Sequence, residues 1–345
     1  MKKINNSKKN NLIKKLFIKL CRLIGFEIID QSNLNLPVSK KTATDNLGQI
    51  GKKIITLPLG ETKISRPVKS LDIIIKTCTS INLVTQNKKR IFEKNKSDYT
   101  FRTINSLINS LNFSKNFLKD IDIKIYIIDD NSKKEDLEKI LKIIAKINIK
   151  FEIINLDLEK FKQIKILNKN NPAIEKNMRA TMASILTSFN IAKEKSNDLV
   201  YFVEDDYIHD VISIAEMIGT YERIATQLNK EILLCPTDYP YLYANCTPTY
   251  LLLGNKRHWR KTEQSLGTFL ISKKNLNLYW ENLMKFASGK DDPAELALHS
   301  IYNKEPCFSP IPSLAIHCAN INSIYGISPN INWKKLWEEN ELNDA

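Results

Sequence analysis

From Leu71 onward the hydrophobic positions follow two alternating rhythms. Leu71 to Cys78 is a β-branched run of the kind needed by a strand covered on both faces. Asp98 to Leu111 then places Phe101, Ile104, Leu107, Ile108 and Leu111 at helical spacing. The pair repeats: Ile123 to Ile128 is a second strand, Lys134 to Lys146 a helix, Phe151 to Leu156 a third strand, Lys176 to Lys195 a helix, and Leu199 to Val203 a fourth strand. Such alternation predicts an α/β domain on a mostly parallel, Rossmann-like sheet flanked by helices. Further on, Ser265 to Ser272 and Ser313 to Cys318 read as strands, Cys235 to Pro240 as a strand-to-loop exit, and Tyr250 to Arg260 as a hairpin turning at Gly254 and Asn255.

The first part of the chain is patterned differently. From Lys8 to Ile24 a helical projection gathers Leu12, Ile13, Leu16, Phe17, Leu20, Leu23 and Ile24 on one face, with Lys8, Lys14, Lys15, Lys19 and Arg22 opposite and only Ile18 misplaced. The stretch is interrupted by lysines, too short to span a bilayer, and lacks the apolar core and cleavage site of a signal peptide. It fits two descriptions: a helix lying on an anionic membrane surface through residues 8–24, or a helix docked on protein. Gly25 would end it. Residues 30–69, polar and carrying Pro37, Pro58 and Pro67, read as a linker, so the division is 1–29 helix, 30–69 linker and 70–335 catalytic-type domain.

Charge sharpens this division. The chain of 345 residues has a net charge of +14, but residues 1–69 hold 15 Lys and Arg against 4 Asp and Glu, so most of the excess lies there. The nearly balanced remainder has no basic stripe interleaved with aromatics, and nucleic acid is not an expected partner. Hydrophobic residues make up 43%, enough for a substantial core. The six cysteines form no close pair, which argues against structural zinc and a disulfide scaffold and fits a reducing, cytoplasmic compartment.

Candidate chemistry sits where the apolar runs stop. Leu199 to Val203 ends on three adjacent acids, Glu204, Asp205 and Asp206. Carboxylates so close repel one another and call for a cation, and open α/β sheets bind ligands at the carboxyl ends of their strands. Hard ions such as Mg²⁺ or Mn²⁺ take oxygen ligands and often bridge to phosphate. The second strand also stops on acids, Asp129 and Asp130, of which Asp130 would complement the site at Asp205 by accepting hydrogen bonds from a base or ribose, while the Asn131 and Ser132 that follow read as a helix cap.

With these residues in place, the chain resembles GT-A fold glycosyltransferases of the family 2 type over roughly residues 71–210, with looser agreement to about 320. The resemblance rests on the Ile-rich first strand ending near Thr77, on IYIIDDNS, on the segment KNMRATMASILTSFNIAKE, and on VYFVEDDY in the position of the family's Asp-x-Asp motif. It implies a nucleotide-sugar half, 70–210, and an acceptor half, 211–335. Thr77, Asp129, Asp130, Arg179 and Asp205 would bind the donor, a nucleoside-diphosphate sugar such as a UDP-sugar, with Arg179 near the diphosphate. Glu204, Asp206 and a late His317 would hold Mn²⁺ or Mg²⁺. Glu204 and the adjacent aspartates depart from the usual pattern, leaving open which carboxylate touches the metal.

An inverting transfer also needs a base opposite the leaving group. The segment Lys290 to His299 supplies Asp292 and Glu295, which also suit a capped helix beginning at Pro293, with Glu295 in its first turn. His209 competes with His317 as metal ligand, His299 reads as a helix-face residue, and Asp238 is a further acceptor-side candidate. Trp259, beside Lys256, Arg257, His258 and Arg260, suits a sugar-stacking platform or a charged hairpin edge. Gly267 would allow close substrate approach.

The expected activity is metal-dependent transfer of a sugar, with inversion, to a cell-surface glycan or lipid-linked acceptor on the cytosolic side of a membrane. A sugar-nucleotide nucleotidyltransferase would share the sheet and metal but should carry a Gly-rich phosphate loop, and Lys76 to Ser80 holds no glycine. A non-catalytic, membrane-peripheral interaction protein on the same fold is the alternative from another class.

Overall fold

A computed structural model describes residues 12–26, 54–57, 60–80, 90–164, 166, 172–244, 248–289, 293–318 and 323–342. They fall in two compact units. One contains helix α1 (Leu12–Leu23) and an antiparallel hairpin of β1 (Ile54–Leu57) and β2 (Gly60–Lys63); the other contains the described residues from Ile64 onward. The hairpin lies within the span expected to be linker. The β-branched run Ile54-Ile55-Thr56 carries strand preference that the surrounding prolines mask in a composition-based reading.

In the larger unit, β3 (Ser70–Thr77), β4 (Asp122–Asp129), β5 (Lys150–Asn155) and β6 (Leu199–Val203) are parallel, ordered β5-β4-β3-β6. Between them come α2 (Lys96–Phe113), α3 (Lys134–Ile144) and α4 (Pro172–Lys195). The sheet continues through β11 (Phe269–Ser272), β8 (Leu233–Leu234), β12 (Cys307–Ile311), β10 (His258–Thr262) and β9 (Leu251–Leu253). Only β11 and β10 oppose the common direction. Counted from β3 and leaving out β7, β9 and β10, the strand order is 3-2-1-4-6-5-7 with the sixth reversed, a GT-A type arrangement. A separate two-stranded sheet pairs β7 (Tyr207–His209) with β13 (Ala315–His317) antiparallel.

The strands alternate their side chains between two apolar layers, as the two-residue period of a strand requires. Leu71, Ile73, Ile75, Tyr201 and Val203 join α2, α3 and α5 (Ser213–Leu228) on one side; Ile74, Val200 and Phe202 join α4, α6 (Lys273–Leu278), α7 (Trp280–Phe286) and α8 (Leu296–Tyr302) on the other. The expected boundary at 335 cuts a helix. Helix α9 (Trp333–Glu339) packs Leu336 and Trp337 with Tyr99, Ile208 and Ile316, and the Phe92 ring stacks on Trp337 at 3.8 Å.

Two acceptor-side expectations change. Trp259 is fully buried, and its Nε1–H donates to Glu216 Oε1 at 3.3 Å. Glu216 also accepts the backbone N–H groups of Lys256 and Arg257, so the hairpin tip is fastened to α5 and the indole is core rather than a sugar platform. Helix α8 begins at Leu296, with Glu295 in the capping position just before it, later than Pro293 had suggested.

Candidate active site

Parallel pairing brings three strand ends level, Thr77 opposite Asp129 and Ile75 opposite Val203. Cys78, Asp130 and the acids Glu204 to Asp206 therefore gather at one edge of the sheet, at the carboxyl ends of its strands.

Each of the three adjacent acids has its own cation. Lys76 Nζ is 3.2 Å from Glu204 Oε1, Lys96 pairs closely with Asp205 Oδ1, and Arg90 Nη2 is 3.4 Å from Asp206 Oδ2. Mutual repulsion within the triplet is thus compensated by side chains of the protein, and repulsion alone does not demand a metal. The three environments differ. Asp205 also accepts from Thr100 Oγ1 at 3.0 Å and Cys78 N at 3.2 Å, contacts that tie the end of β3 to the start of α2. Glu204 is accommodated by Gly267, where an added Cβ would lie 3.0–3.2 Å from its carboxylate; the glycine makes room for Glu204 itself. Asp206 holds its cation by the longest of the three contacts and faces a second partner.

That partner is His317. β13 pairs with β7 so that His317 lies opposite Tyr207, the residue after Asp206, and the two rings stack at 4.7 Å. His317 Nε2 is 3.7 Å from Asp206 Oδ2, while Nδ1–H donates to the Tyr325 carbonyl at 2.6 Å. This bond orients the ring with Nε2 toward Asp206, where it faces the carboxylate as an N–H in the charged ring and would offer its lone pair to a cation in the neutral one. Burial alone would raise the Asp206 carboxyl, but His317, Lys96 and Arg90 outweigh it and hold it well below the usual carboxylate range. Burial would lower His317, and the facing carboxylate reverses this to a net rise. One carboxylate and one imidazole fit a divalent cation that completes its shell with phosphate oxygens and water. Among the described residues no cluster of three or more His, Cys, Asp or Glu side chains is arranged to hold a metal.

At the neighbouring strand end Asp129 is occupied locally, accepting from Thr77 Oγ1 at 2.8 Å and from Ser132 N at 2.9 Å, a turn contact; α3 is capped at Lys133 without a side-chain hydrogen bond, so the helix-cap reading of Asn131 and Ser132 is not realised. Asn131 has a positive φ of 54°. Asp130 is buried, with a carboxyl raised first by desolvation and next by Asp129, only partly offset by Cys78 and Lys176. A carboxyl in such a site suits a neutral, directional partner such as the N–H groups of a base. Arg179, on α4, pairs with Glu175 one turn earlier, and its Nε is buried without a partner among the described residues.

On the acceptor side, Asp292 lies outside the described residues. Burial, and then the charge of Glu295, raises the Tyr325 phenol, so Glu295 stands near the residue whose carbonyl holds His317. The Tyr325 hydroxyl donates to Gln264 Oε1 at 2.6 Å, and its ring lies 5.4 Å from that of Tyr241. Asp238 is fully buried, bonded to Arg260 and Tyr243, and is a structural ion pair. His209 is no competitor for the metal: Nε2 meets the Tyr201 hydroxyl at 2.5 Å, and burial holds the ring down at about 3. His299 bonds the Ser265 backbone. A groove of about 700 Å³ lined by Asn109, Asn112, Asn332 and Lys335 includes none of the strand-end acids.

Sequence reasoning overlooked Lys76, Arg90 and Lys96. For Lys76 a signal existed, because a lysine directly after the apolar run Ile73 to Ile75 in a buried strand implies an acidic partner.

No family model matches the sequence, and no curated protein matches it. Among solved structures, S. aureus TarS is similar at 12% identity and a TM-score of 0.36, over 69% of this chain and 35% of that one. UDP-glucose pyrophosphorylase complexed with UDP-glucose is similar at 10% identity and 0.38, over 75% and 96%, and M. tuberculosis glucosyl-3-phosphoglycerate synthase at 12% and 0.30, over 65% and 69%. The chain spans about a third of the length of TarS. The chemistry is left to the residues; the larger unit, by its own strand order, has a GT-A type arrangement.

Proposed function

We propose that this chain is a metal-dependent glycosyltransferase that moves a sugar, with inversion, from a nucleoside-diphosphate sugar to a hydroxyl of a glycan or lipid-linked acceptor. The observation that carries the reading is the meeting of His317, at the end of β13, with Asp206, in the turn between β6 and β7, at the carboxyl edge of the sheet where β4 also ends on acids. Asp206 and His317 would hold Mn²⁺ or Mg²⁺, which neutralises the charge developing on the departing diphosphate. Asp130 would accept hydrogen bonds from the base, with a UDP-sugar favoured through the family 2 resemblance. Glu295, in the capping position before α8, would take the acceptor proton on the face opposite the leaving group.

Helix α1 supports work at a membrane surface. Leu16, Phe17, Leu20 and Leu23 are exposed on a helix whose charged residues are Lys and Arg without an acid, and Ile24 and Phe26 just beyond its end are exposed too. An anionic bilayer on the cytosolic side matches that pairing of apolar and basic faces. Among the described residues no helix is long and apolar enough to cross a membrane.

The test is a thermal-shift screen of nucleoside diphosphates and nucleotide sugars with Mn²⁺. A ligand at 100 times its dissociation constant stabilises by about 2.7 kcal/mol. Binding followed by sugar transfer supports the reading, and transfer lost in Glu295→Gln with nucleotide affinity kept supports the base. No nucleotide binding in the presence of metal sinks the transferase reading, and formation of a nucleotide sugar from a nucleoside triphosphate and a sugar phosphate would identify a nucleotidyltransferase. Sedimentation with vesicles rich in anionic lipid, but not with neutral ones, checks α1.

A further inference from the structure

The resemblance directs attention to Arg179 for the diphosphate, but the arginine in contact with the acid that would carry the metal is Arg90. Its Nη2 reaches Asp206 Oδ2 at 3.4 Å, its guanidinium lies 4.7 Å from the centroid of the Tyr99 ring, and its side chain is only 15% exposed. Nη1 is buried without a hydrogen-bond partner among the described residues. Arg179, in contrast, is already paired with Glu175 on its own helix.

The oxygen that Arg90 approaches is also the one facing His317 Nε2. A cation entering between Asp206 and His317 would therefore meet the positive guanidinium on the same carboxylate oxygen. Among the described residues, one long ion pair beside an unused donor is an unfinished arrangement for an arginine. Its fork is matched by the paired oxygens of a phosphate, and a buried donor gains most from a charged acceptor. The ring of Tyr99 would hold the planar group at the site while its partner changes.

We propose that Arg90 grips the donor's diphosphate and rests on Asp206 in the empty enzyme, so that metal alone competes with Arg90 whereas the metal–nucleotide complex recruits it. This rests on the transferase reading and adds a cation to it that the motif does not contain. The two parts have opposite signs. Removing Arg90 should strengthen binding of the bare metal and weaken binding of the nucleotide in its presence. A purely structural role for the Arg90–Tyr99 contact would lower stability and move neither affinity in that pattern.

The experiment is calorimetric titration of the full chain with Mn²⁺ alone, and with UDP at saturating Mn²⁺, for the wild type, Arg90→Ala, Arg90→Lys and Arg179→Ala, each checked for folding by its melting curve. Arg90→Ala should bind Mn²⁺ alone several-fold tighter and UDP roughly 10- to 100-fold more weakly, the loss of one or two charge-assisted hydrogen bonds. Arg90→Lys keeps the charge and loses the fork; it should bind Mn²⁺ as the wild type does and UDP with an intermediate loss. Arg179→Ala should change UDP affinity less than Arg90→Ala. UDP affinity unchanged in folded Arg90→Ala, or weaker Mn²⁺ binding by it, overturns the proposal while the transferase reading stands. A wild type that binds no nucleoside diphosphate with metal overturns both.

Discussion

His317 Nε2 lies 3.7 Å from Asp206 Oδ2 because β13 and β7 pair in a register that sets His317 opposite Tyr207. The site therefore depends on a two-stranded sheet outside the main one. Asp206→Ala and His317→Ala should each abolish the Mn²⁺-dependent part of the stabilisation by nucleoside diphosphate. Their turnover should fall by roughly 100-fold or more, the scale expected when a charge-stabilising group is removed from a developing anion. Thermal shifts with and without Mn²⁺ provide the check; a metal-dependent shift persisting at wild-type size in both variants would exclude the pair as ligands.

Gly267 is required for space. An added Cβ would meet the Glu204 carboxylate at 3.0–3.2 Å, close enough to displace it but against the mobile end of a side chain. Gly267→Ala should cost no more than about 1 kcal/mol of stability, since the carboxylate can move, while disturbing the Lys76–Glu204 pair at the site. Melting and nucleotide titration measured together separate the effects, and a variant identical to wild type in both would show that Glu204 has ample room.

Much of this architecture is legible in the sequence. The β-branched runs, the helical spacing between them and the acidic strand ends are local patterns, and all four parallel strands and the helices joining them occur where those patterns place them. What stays hidden depends on pairing over long separations. The reversed insertion of β11 between β6 and β8 leaves no mark in its own four residues. Nor do Arg90 and Lys96 announce that they neutralise Asp206 and Asp205, because each pair forms only when the start of α2 and the segment leading into it are brought against the turn after β6. The same limit explains Trp259: flanked by cations it suggests a ligand platform, and only its contact with Glu216, on another element, reveals a buried core residue.

Trp259 is therefore expected to fail as a specificity determinant. Trp259→Ala should destabilise the fold by about 3–5 kcal/mol, the usual cost of emptying so large a buried site. The fraction that remains folded at low temperature should bind nucleotide as the wild type does. Urea melts combined with titration below the transition test this, and selective loss of acceptor binding at unchanged stability would restore the platform reading.

Acid sensitivity should have an identifiable source in His209. Burial holds this ring down at about 3, far below its ordinary 6.5, with Nε2 against the Tyr201 hydroxyl and Nδ1 near Ser106. Between these values the unfolded chain takes up a proton that the folded chain refuses. The stabilisation is present above pH 6.5 and is lost progressively as pH falls toward 3, at up to about 1.4 kcal/mol per pH unit from this group. His209→Gln, which keeps polar atoms in the pocket but cannot titrate, should show a shallower fall in stability from pH 6.5 to 4. Denaturant melts across that range decide the matter: parallel curves for the two proteins would mean that His209 is not the group that resists protonation.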